Sequence, residues 1–171
     1  MEKYIVPWVL EDVEIGPEAL EIGPGPGVTT DLLCGRVASL TCLEVDRKLA
    51  HSLGQRMAGG NVTVIQGDAT AMSLPDRAFD TVLSFTMLHH VPSPALQDRL
   101  FSEAARVLRP GGRFVGTDSL KGRFTGVLHL FDTLVPVDPQ TLPDRLRKAG
   151  FEDVQVDVNP YAFRFRARAP R

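Results

Sequence analysis

Ala19-Leu20-Glu21-Ile22-Gly23-Pro24-Gly25-Pro26-Gly27 is the stretch that decides the fold. A short apolar strand runs into a turn with glycine at every second position. Leu43-Glu44-Val45-Asp46 follows about twenty residues later, at the distance where a strand-end carboxylate meets a ribose. The pairing points to a site where the backbone approaches a nucleoside cofactor and an acidic side chain holds its sugar. The spacing is not that of the common dinucleotide fingerprint, G-x-G-x-x-G. The third glycine, Gly27, comes one residue early, and Val28 stands where that pattern needs glycine.

Outward from this turn, strand-like and helix-like runs alternate. Ala19–Ile22, Leu40–Val45, Val62–Ile65, Phe79–Phe85 and Arg113–Thr117 read as apolar or β-branched strands. Helices are expected over Val28–Cys34, Arg47–Met57 and Pro94–Leu108. In the last of these, Leu96, Leu100, Ala104 and Val107 recur at the three- and four-residue spacing of an amphipathic helix, and Ser93-Pro94 reads as a cap followed by a first-turn proline. Near-continuous apolar strands alternating with helices imply parallel strands covered on both faces. Apolar residues at 124, 127, 128, 131, 134 and 135 make a further helical stripe, with His129 and Asp132 off it. Thr141-Leu142-Pro143-Asp144 resembles a capping box opening a helix that ends at Ala149-Gly150. Val154–Val158 and Tyr161–Ala169 flank Asn159-Pro160 as a β-hairpin, with Phe163, Phe165 and Ala167 alternating with Arg164, Arg166 and Arg168.

The 171 residues suffice for one domain with a real core, and residues 1–171 are assigned to a single domain. With 43% apolar and 23% charged residues the composition is that of a soluble globular protein. A formal net charge of −2 argues against nucleic acid as a partner, because phosphate binding needs a basic surface. No apolar run approaches the roughly 18–20 residues of a membrane span, and the N-terminus lacks the plan of a secretory signal. Cys34 and Cys42 fit no metal spacing and read as reduced core residues, which places the chain in the cytoplasm. No set of His, Asp or Glu with metal-ligand spacing stands out.

The set Glu21-x-Gly23-x-Gly25-x-Gly27, with Glu44 at the end of the next strand, resembles the first two motifs of class I S-adenosylmethionine-dependent methyltransferases. The resemblance continues through Gln66-Gly67-Asp68-Ala69, Leu74-Pro75, Phe79-Asp80-Thr81-Val82, Leu88-His89-His90-Val91, Glu103 to Gly112, and Ala149-Gly150-Phe151. It covers roughly residues 15–169. It implies a Rossmann-like, three-layer α/β/α fold whose mostly parallel seven-stranded sheet has an antiparallel final strand inserted between the fifth and sixth. The cofactor would lie across the carboxyl ends of the first two strands.

The resemblance also implies roles for residues. S-adenosyl-L-methionine would lay its amino-acid end along Gly23, Gly25 and Gly27, with Glu21 helping to position the ammonium. Glu44 would accept from the ribose hydroxyls, a place that Asp46, two residues on, can also fill. Asp68 and the backbone of Ala69 would face the adenine, Val45 and Met72 its two sides, and Phe85 and Thr86 the methionine end. Asp80 reads as a structural residue at a strand entry.

Methyl transfer from a sulfonium is an in-line displacement, and a general base is needed only for an acceptor that keeps its proton at neutral pH. Candidate bases are His89 and His90, not separable from one another, and Asp118 at the end of the fifth strand. Residues 119–138 fall where the family places its acceptor-side insertion, and residues 1–14 read as an N-terminal lid or a helix packed on the sheet. The shortness of that N-terminal region leaves either a more open pocket or one completed by a second subunit in a homodimer. The expected partner is a small-molecule methyl acceptor, with neither nucleic acid nor membrane. Two rivals stand beside this reading. A NAD(P)-dependent oxidoreductase would need glycine at Val28 and a catalytic set not found here, and a non-catalytic Rossmann-like binding domain would be expected to lose Glu44 or the glycines.

Overall fold

The computed structural model describes residues 2–120 and 134–171. The stripe over 124–135, with His129 and Asp132, lies largely outside the described residues, as does most of the 119–138 segment. The strands are β1 (Glu18–Ile22), β2 (Ser39–Glu44), β3 (Val62–Gln66), β4 (Phe79–Phe85), β5 (Leu108–Ser119), β6 (Glu152–Val158) and β7 (Ala162–Arg168). They form one seven-stranded sheet in the order β3-β2-β1-β4-β5-β7-β6. Strands β1 to β5 are parallel, and β7 is antiparallel to both β5 and β6. The order reverses beside β1, which puts a crevice at the carboxyl ends of β1 and β4.

The helices are α1 (Glu2–Val9), α2 (Val28–Leu33), α3 (Arg47–Arg56), α4 (Pro94–Val107) and α5 (Leu142–Lys148). Each strand residue presents one face or the other, so β1 divides its side chains between two cores. Ala19 joins the core containing Val6, Val9, Leu33, Leu53 and Val115, which is the α1, α2 and α3 side. Leu20 and Ile22 join the core containing Leu100, Phe101, Ala104, Leu146 and Phe165, the α4 and α5 side. Phe114 stacks on Phe151 at 5.5 Å and meets Phe165 edge-on at 4.9 Å, which ties β5 to β7 and to the end of α5. Residues 2–9 form the helix α1, whose Val6 and Val9 are buried on the sheet side. Arg164 of β7 holds this segment by donating to the carbonyl of Trp8 and pairing with Glu11 at 2.9 Å.

Some local readings hold and others meet a different outcome. Ser93 caps α4 as expected, accepting from the N–H of Leu96 at 3.2 Å with Pro94 in the first turn. Thr141 forms no capping box. Its hydroxyl donates to the carbonyl of Asp138 at 3.2 Å, so α5 opens without a side-chain cap. The strand expected at Arg113 already begins at Leu108, straight out of α4, because Leu108 pairs with Phe79, and the ladder resumes at Arg113 opposite Thr81 after an irregular step that takes in residues 109–112. Cys42 is buried and Cys34 half-buried; both are free thiols, and burial pushes the Cys42 thiol well above its ordinary value. Asp80 is structural: it accepts from the N–H of Glu18 at 3.0 Å and from Arg109 at 2.6 Å.

Candidate active site

The glycine turn leaves β1 at Gly23 and enters α2 at Val28. Gly25 and Gly27 have φ of +56° and +85°, in the left-handed region that disfavours residues with a Cβ. Their surroundings differ. A Cβ on Gly25 would meet nothing within 4 Å, so this backbone is open to a ligand. A Cβ on Gly27 would lie 2.4 Å from Leu53 and 2.3 Å from the Arg56 guanidinium, so Gly27 serves the packing of α2 against α3. Arg56 reaches from α3 to the turn, donating to the carbonyls of Pro26 and Gly27 at 3.0 and 3.2 Å and pairing with Asp31 at 2.5 Å.

The carboxylate of Glu44, nearly buried at the end of β2, is shared between two backbone donors. Oε2 accepts from the N–H of Gly25 and Oε1 from the N–H of Asp46, both at 2.9 Å. Asp46 caps α3 instead, accepting from the N–H groups of Lys48 and Leu49 at 2.8 and 2.9 Å. These bonds hold its carboxyl below the usual range. Of the two acidic residues, only Glu44 bridges to the glycine turn.

Glu21 faces the other way. Its carboxyl, 1% exposed, accepts from the hydroxyls of Thr29 and Thr30, the latter at 2.6 Å, beneath the turn. Burial raises its pKa against the lowering effect of the two threonines. The structure thus engages Glu21 in fastening α2 to β1.

A cavity of about 260 Å³ opens beside the turn, lined among others by Gly23, Val45, Asp68, Ala69, Met87 and His90. Val45 is 67% exposed, an apolar side chain standing free at the cavity edge. Asp68 accepts from the N–H of Thr70 at 2.8 Å, which shapes the turn presenting Ala69. Met72 and Phe85 are not brought to this cavity. Met72 is buried in the core on the α4 side, and Phe85 in the core with Val6 and Val115. None of residues 6–14 lines it either. A larger cleft of about 890 Å³ runs between α3 and the edge strand β3, away from the glycine turn.

Residues 67–78 join β3 to β4 without a helix, and Arg106 of α4 holds them. It donates to the carbonyls of Leu74 and Met72 at 2.8 and 2.9 Å and pairs with Glu103 at 2.8 Å and Asp76 at 2.5 Å. Glu103 in turn accepts from the N–H of Met72 at 2.7 Å.

At the carboxyl ends of β4 and β5, Asp118 is fully buried. It accepts from the backbone N–H of His89 at 2.9 Å, and its other oxygen lies 2.5 Å from Nδ1 of the His89 ring. His90 stacks obliquely on His89, with ring centres 4.2 Å apart. Thr86, the residue after β4, has φ of +52°, an uncommon conformation for a β-branched residue, held by its N–H donating to the carbonyl of Thr117 at 2.8 Å. Gln97, fully buried in α4, donates to the carbonyls of Leu88 and Val135 at 3.1 and 2.8 Å. Sequence reasoning missed Arg56, Gln97 and Arg106. Arg106 lies within the motif-bearing stretch, but nothing in its neighbourhood signals its partners. Gln97 sits beside the apolar stripe of α4, where a polar residue reads as solvent-facing. Among the described residues no cluster of His, Cys, Asp or Glu is placed to hold a metal ion.

A doubly wound sheet with an open glycine turn, a strand-end carboxylate and a small cavity at the switch point defines a nucleoside-cofactor domain. The chain belongs to the methyltransferase-domain family: residues 20–116, more than half of it, match that family's profile. It is similar to a fatty-acid O-methyltransferase of Mycolicibacterium smegmatis, 36% identical over 110 residues, covering 63% of this chain and 39% of the relative. It is also similar to a probable S-adenosylmethionine-dependent methyltransferase of the same organism, 30% identical over 142 residues, covering 80% of this chain and 52% of the relative. Its fold is that of the putative methyltransferase solved in complex with the Trm112 activator of Haloferax volcanii, with a TM-score of 0.83 at 14% identity over 98% of this chain and 90% of that one. Ribosomal RNA methyltransferases also match, so the relatives lend no support to excluding nucleic acid as an acceptor. The chain spans about half or less of the length of these curated relatives.

Proposed function

We propose that this protein transfers a methyl group from S-adenosyl-L-methionine to a small-molecule acceptor. The observation that carries this reading is the open Gly25 backbone tied to Glu44 beside the cavity of Val45, Asp68 and Ala69. Each residue present fits the donor. Gly23 and Gly25 allow close approach of its amino-acid end. Glu44 keeps lone pairs for ribose hydroxyls while its two backbone bonds fix its rotamer. The exposed Val45 supplies an apolar surface for a flat base, and Asp68 an acceptor for its amino group. Glu21, locked to Thr29 and Thr30, supports the turn from below.

Once bound, the donor supplies an electrophilic methyl group; the chain's task is to hold an acceptor in line with it. The acceptor is assigned to the side of loop 86–90 and the end of β5, where Val135 donates to the carbonyl of His89. The net charge of −2 supports a small acceptor over nucleic acid. The two free thiols support a cytoplasmic setting, and among the described residues no helix is long and apolar enough to cross a membrane.

The test is isothermal titration with S-adenosylmethionine and, separately, NADH. Binding of the first alone is expected. Binding of NADH alone would support the oxidoreductase reading, and binding of neither at millimolar concentration would leave a scaffold without a cofactor.

A further inference from the structure

We propose that the α1 face of the C-terminal strands carries a binding site for a small organic carboxylate, built around Arg166 and separate from the donor cavity. The site stands whichever cofactor the glycine turn holds.

Alternation along β5 and β7 puts Arg113, Val115 and Thr117 on the α1 face, directly opposite Arg168, Arg166 and Arg164 in the antiparallel register. Arg113 and Arg168 are thus like charges facing one another across a strand pair, with Arg166 on the diagonal. Three of these four arginines have acceptors. Arg164 pairs with Glu11 and Asp157, Arg113 donates to the carbonyl of Glu14 at 2.8 Å, and Arg168 stands 3.5 Å from Asp153. Arg166 differs. Its Nε and Nη2 are buried, and neither has a hydrogen-bond partner among the described residues. A buried cationic group without an acceptor is costly, and arginine is rarely buried unless it is paired.

Nε and Nη2 lie on one edge of the planar guanidinium with N–H bonds pointing the same way, the fork that takes two oxygens of a carboxylate or phosphate. Arg166 lines a cavity of about 390 Å³ between residues 12–13 and the strands β5, β7 and β6, within the size of small-molecule sites. Arg113 and Arg168 line it too, and Asp12 and Asp153 stand against them. Three arginines facing two aspartates leave a single positive charge, which matches a carboxylate and not a phosphate dianion. Val13 and Val115 add apolar wall for a short hydrocarbon tail. Because nothing fastens the Nε and Nη2 edge, the guanidinium turns it toward the cavity without breaking any hydrogen bond of those atoms.

This cavity shares no lining residue with the one beside the glycine turn. It also lies at the other end of the strands. Arg113 stands beside Thr81 of β4, whereas Phe85, at the carboxyl end, stands beside Thr117, roughly 13 Å further along β5.

The probe is sodium butyrate, with sodium chloride, inorganic phosphate and butanol as comparisons. In ¹H–¹⁵N spectra the Arg166 Nε–H resonance should move on addition of butyrate and saturate in the millimolar range, while the Gly25 amide stays in place. Butyrate should raise the thermal midpoint of the unaltered protein and leave that of Arg166→Leu unmoved. Arg166→Lys keeps the charge without the fork, so it should bind butyrate at least about fivefold more weakly. Because Arg166→Lys and the spectra of the unaltered protein each decide the matter alone, a poorly folded Arg166→Leu would not rescue the idea. The proposal is overturned if the Arg166 resonance does not saturate with butyrate, if chloride or butanol matches its effect, if phosphate binds more tightly than butyrate, or if Arg166→Lys binds as well as the unaltered protein.

Discussion

Oε2 of Glu44 accepts a hydrogen bond from the backbone N–H of Gly25 at 2.9 Å, joining the end of β2 to the middle of the glycine turn. The same carboxylate takes the N–H of Asp46. Glu44→Ala strands both donors, so the unfolding free energy should fall by about 1–3 kcal/mol. On the proposed ribose role, donor affinity should fall as well, by on the order of 2–3 kcal/mol. Denaturant titration and calorimetric binding measure the two losses separately. Loss of stability without loss of affinity would confine Glu44 to shaping the turn.

Asp46→Ala is the matching control. Its carboxylate is exposed and spent on the first N–H groups of α3. The thermal midpoint should drop, because a helix loses its cap, while donor affinity stays the same. A large loss of affinity in this variant would transfer the ribose role from Glu44 to Asp46.

Glu21 should leave a mark on the pH dependence of stability. Burial raises its pKa in the folded state, so the native protein holds this proton at pH values where the unfolded chain has released it. Its contribution to stability is present in full below the ordinary carboxyl range and is lost as pH rises through the folded-state pKa. Glu21→Gln removes that proton equilibrium and can still accept from one threonine hydroxyl. Chemical denaturation between pH 4 and pH 8 should show a downward slope in the unaltered protein that is reduced in the variant. Identical slopes would mean that Glu21 titrates normally.

Arg106 anchors residues 72–76 through the carbonyls of Met72 and Leu74 and the carboxylate of Asp76, while its α4 neighbour Glu103 orients it. Arg106→Lys keeps the charge but lacks the planar fork needed to serve these partners together, so it should not restore the clamp. Amide hydrogen exchange over residues 67–78 should accelerate in both Arg106→Ala and Arg106→Lys, and donor affinity should weaken because Asp68 and Ala69 lie on the same loop. Unchanged exchange in Arg106→Lys would show that charge alone holds the loop.

Gln97→Leu fills the same buried position without the donors that serve Leu88 and Val135. The half-buried Val135 carbonyl loses its Gln97 donor and the Leu88 carbonyl keeps only the N–H of Val91, so stability should fall by roughly 1 kcal/mol. Faster exchange of the Val135 amide, which is bonded to His89, is the local readout.

The strands, the helix pattern and the glycine turn were legible because each is written in local periodicity and in residues with narrow conformational uses, whereas the order of the strands was implied by the family resemblance. Leu96, Leu100, Ala104 and Val107 announce α4 by spacing alone, and Ser93-Pro94 marks where it starts. The opposed duties of neighbouring acids were less legible. Glu44 and Asp46 are chemically alike and two residues apart, and only the pleat of β2 and the start of α3 send one to Gly25 and the other to a cap. Glu21 reads as a ligand from its motif, yet Thr29 and Thr30, which engage it, are ordinary helix residues in the sequence. The resemblance implies Met72 beside the adenine and Phe85 at the methionine end, and their apolar character does not distinguish a core wall from a ligand wall. The long-range grips of Arg56, Gln97, Arg106 and Asp118 depend on residues brought together by the fold, so spacing carries no sign of them. Thr141 shows the converse: a capping box present in the letters is not made, because Asp138 takes its hydroxyl first.

The insertion of β7 between β5 and β6 has a consequence for vectorial synthesis. The strands β1 to β5 leave the ribosome as a sheet with β5 as a bare edge, and β6 has no partner until β7 arrives. Closure of the sheet waits on the last strand in chain order. A nascent chain therefore carries the unpaired backbone of Arg113 to Ser119 from the time β5 is made until β7 follows, and this is the window in which edge-to-edge association competes with folding.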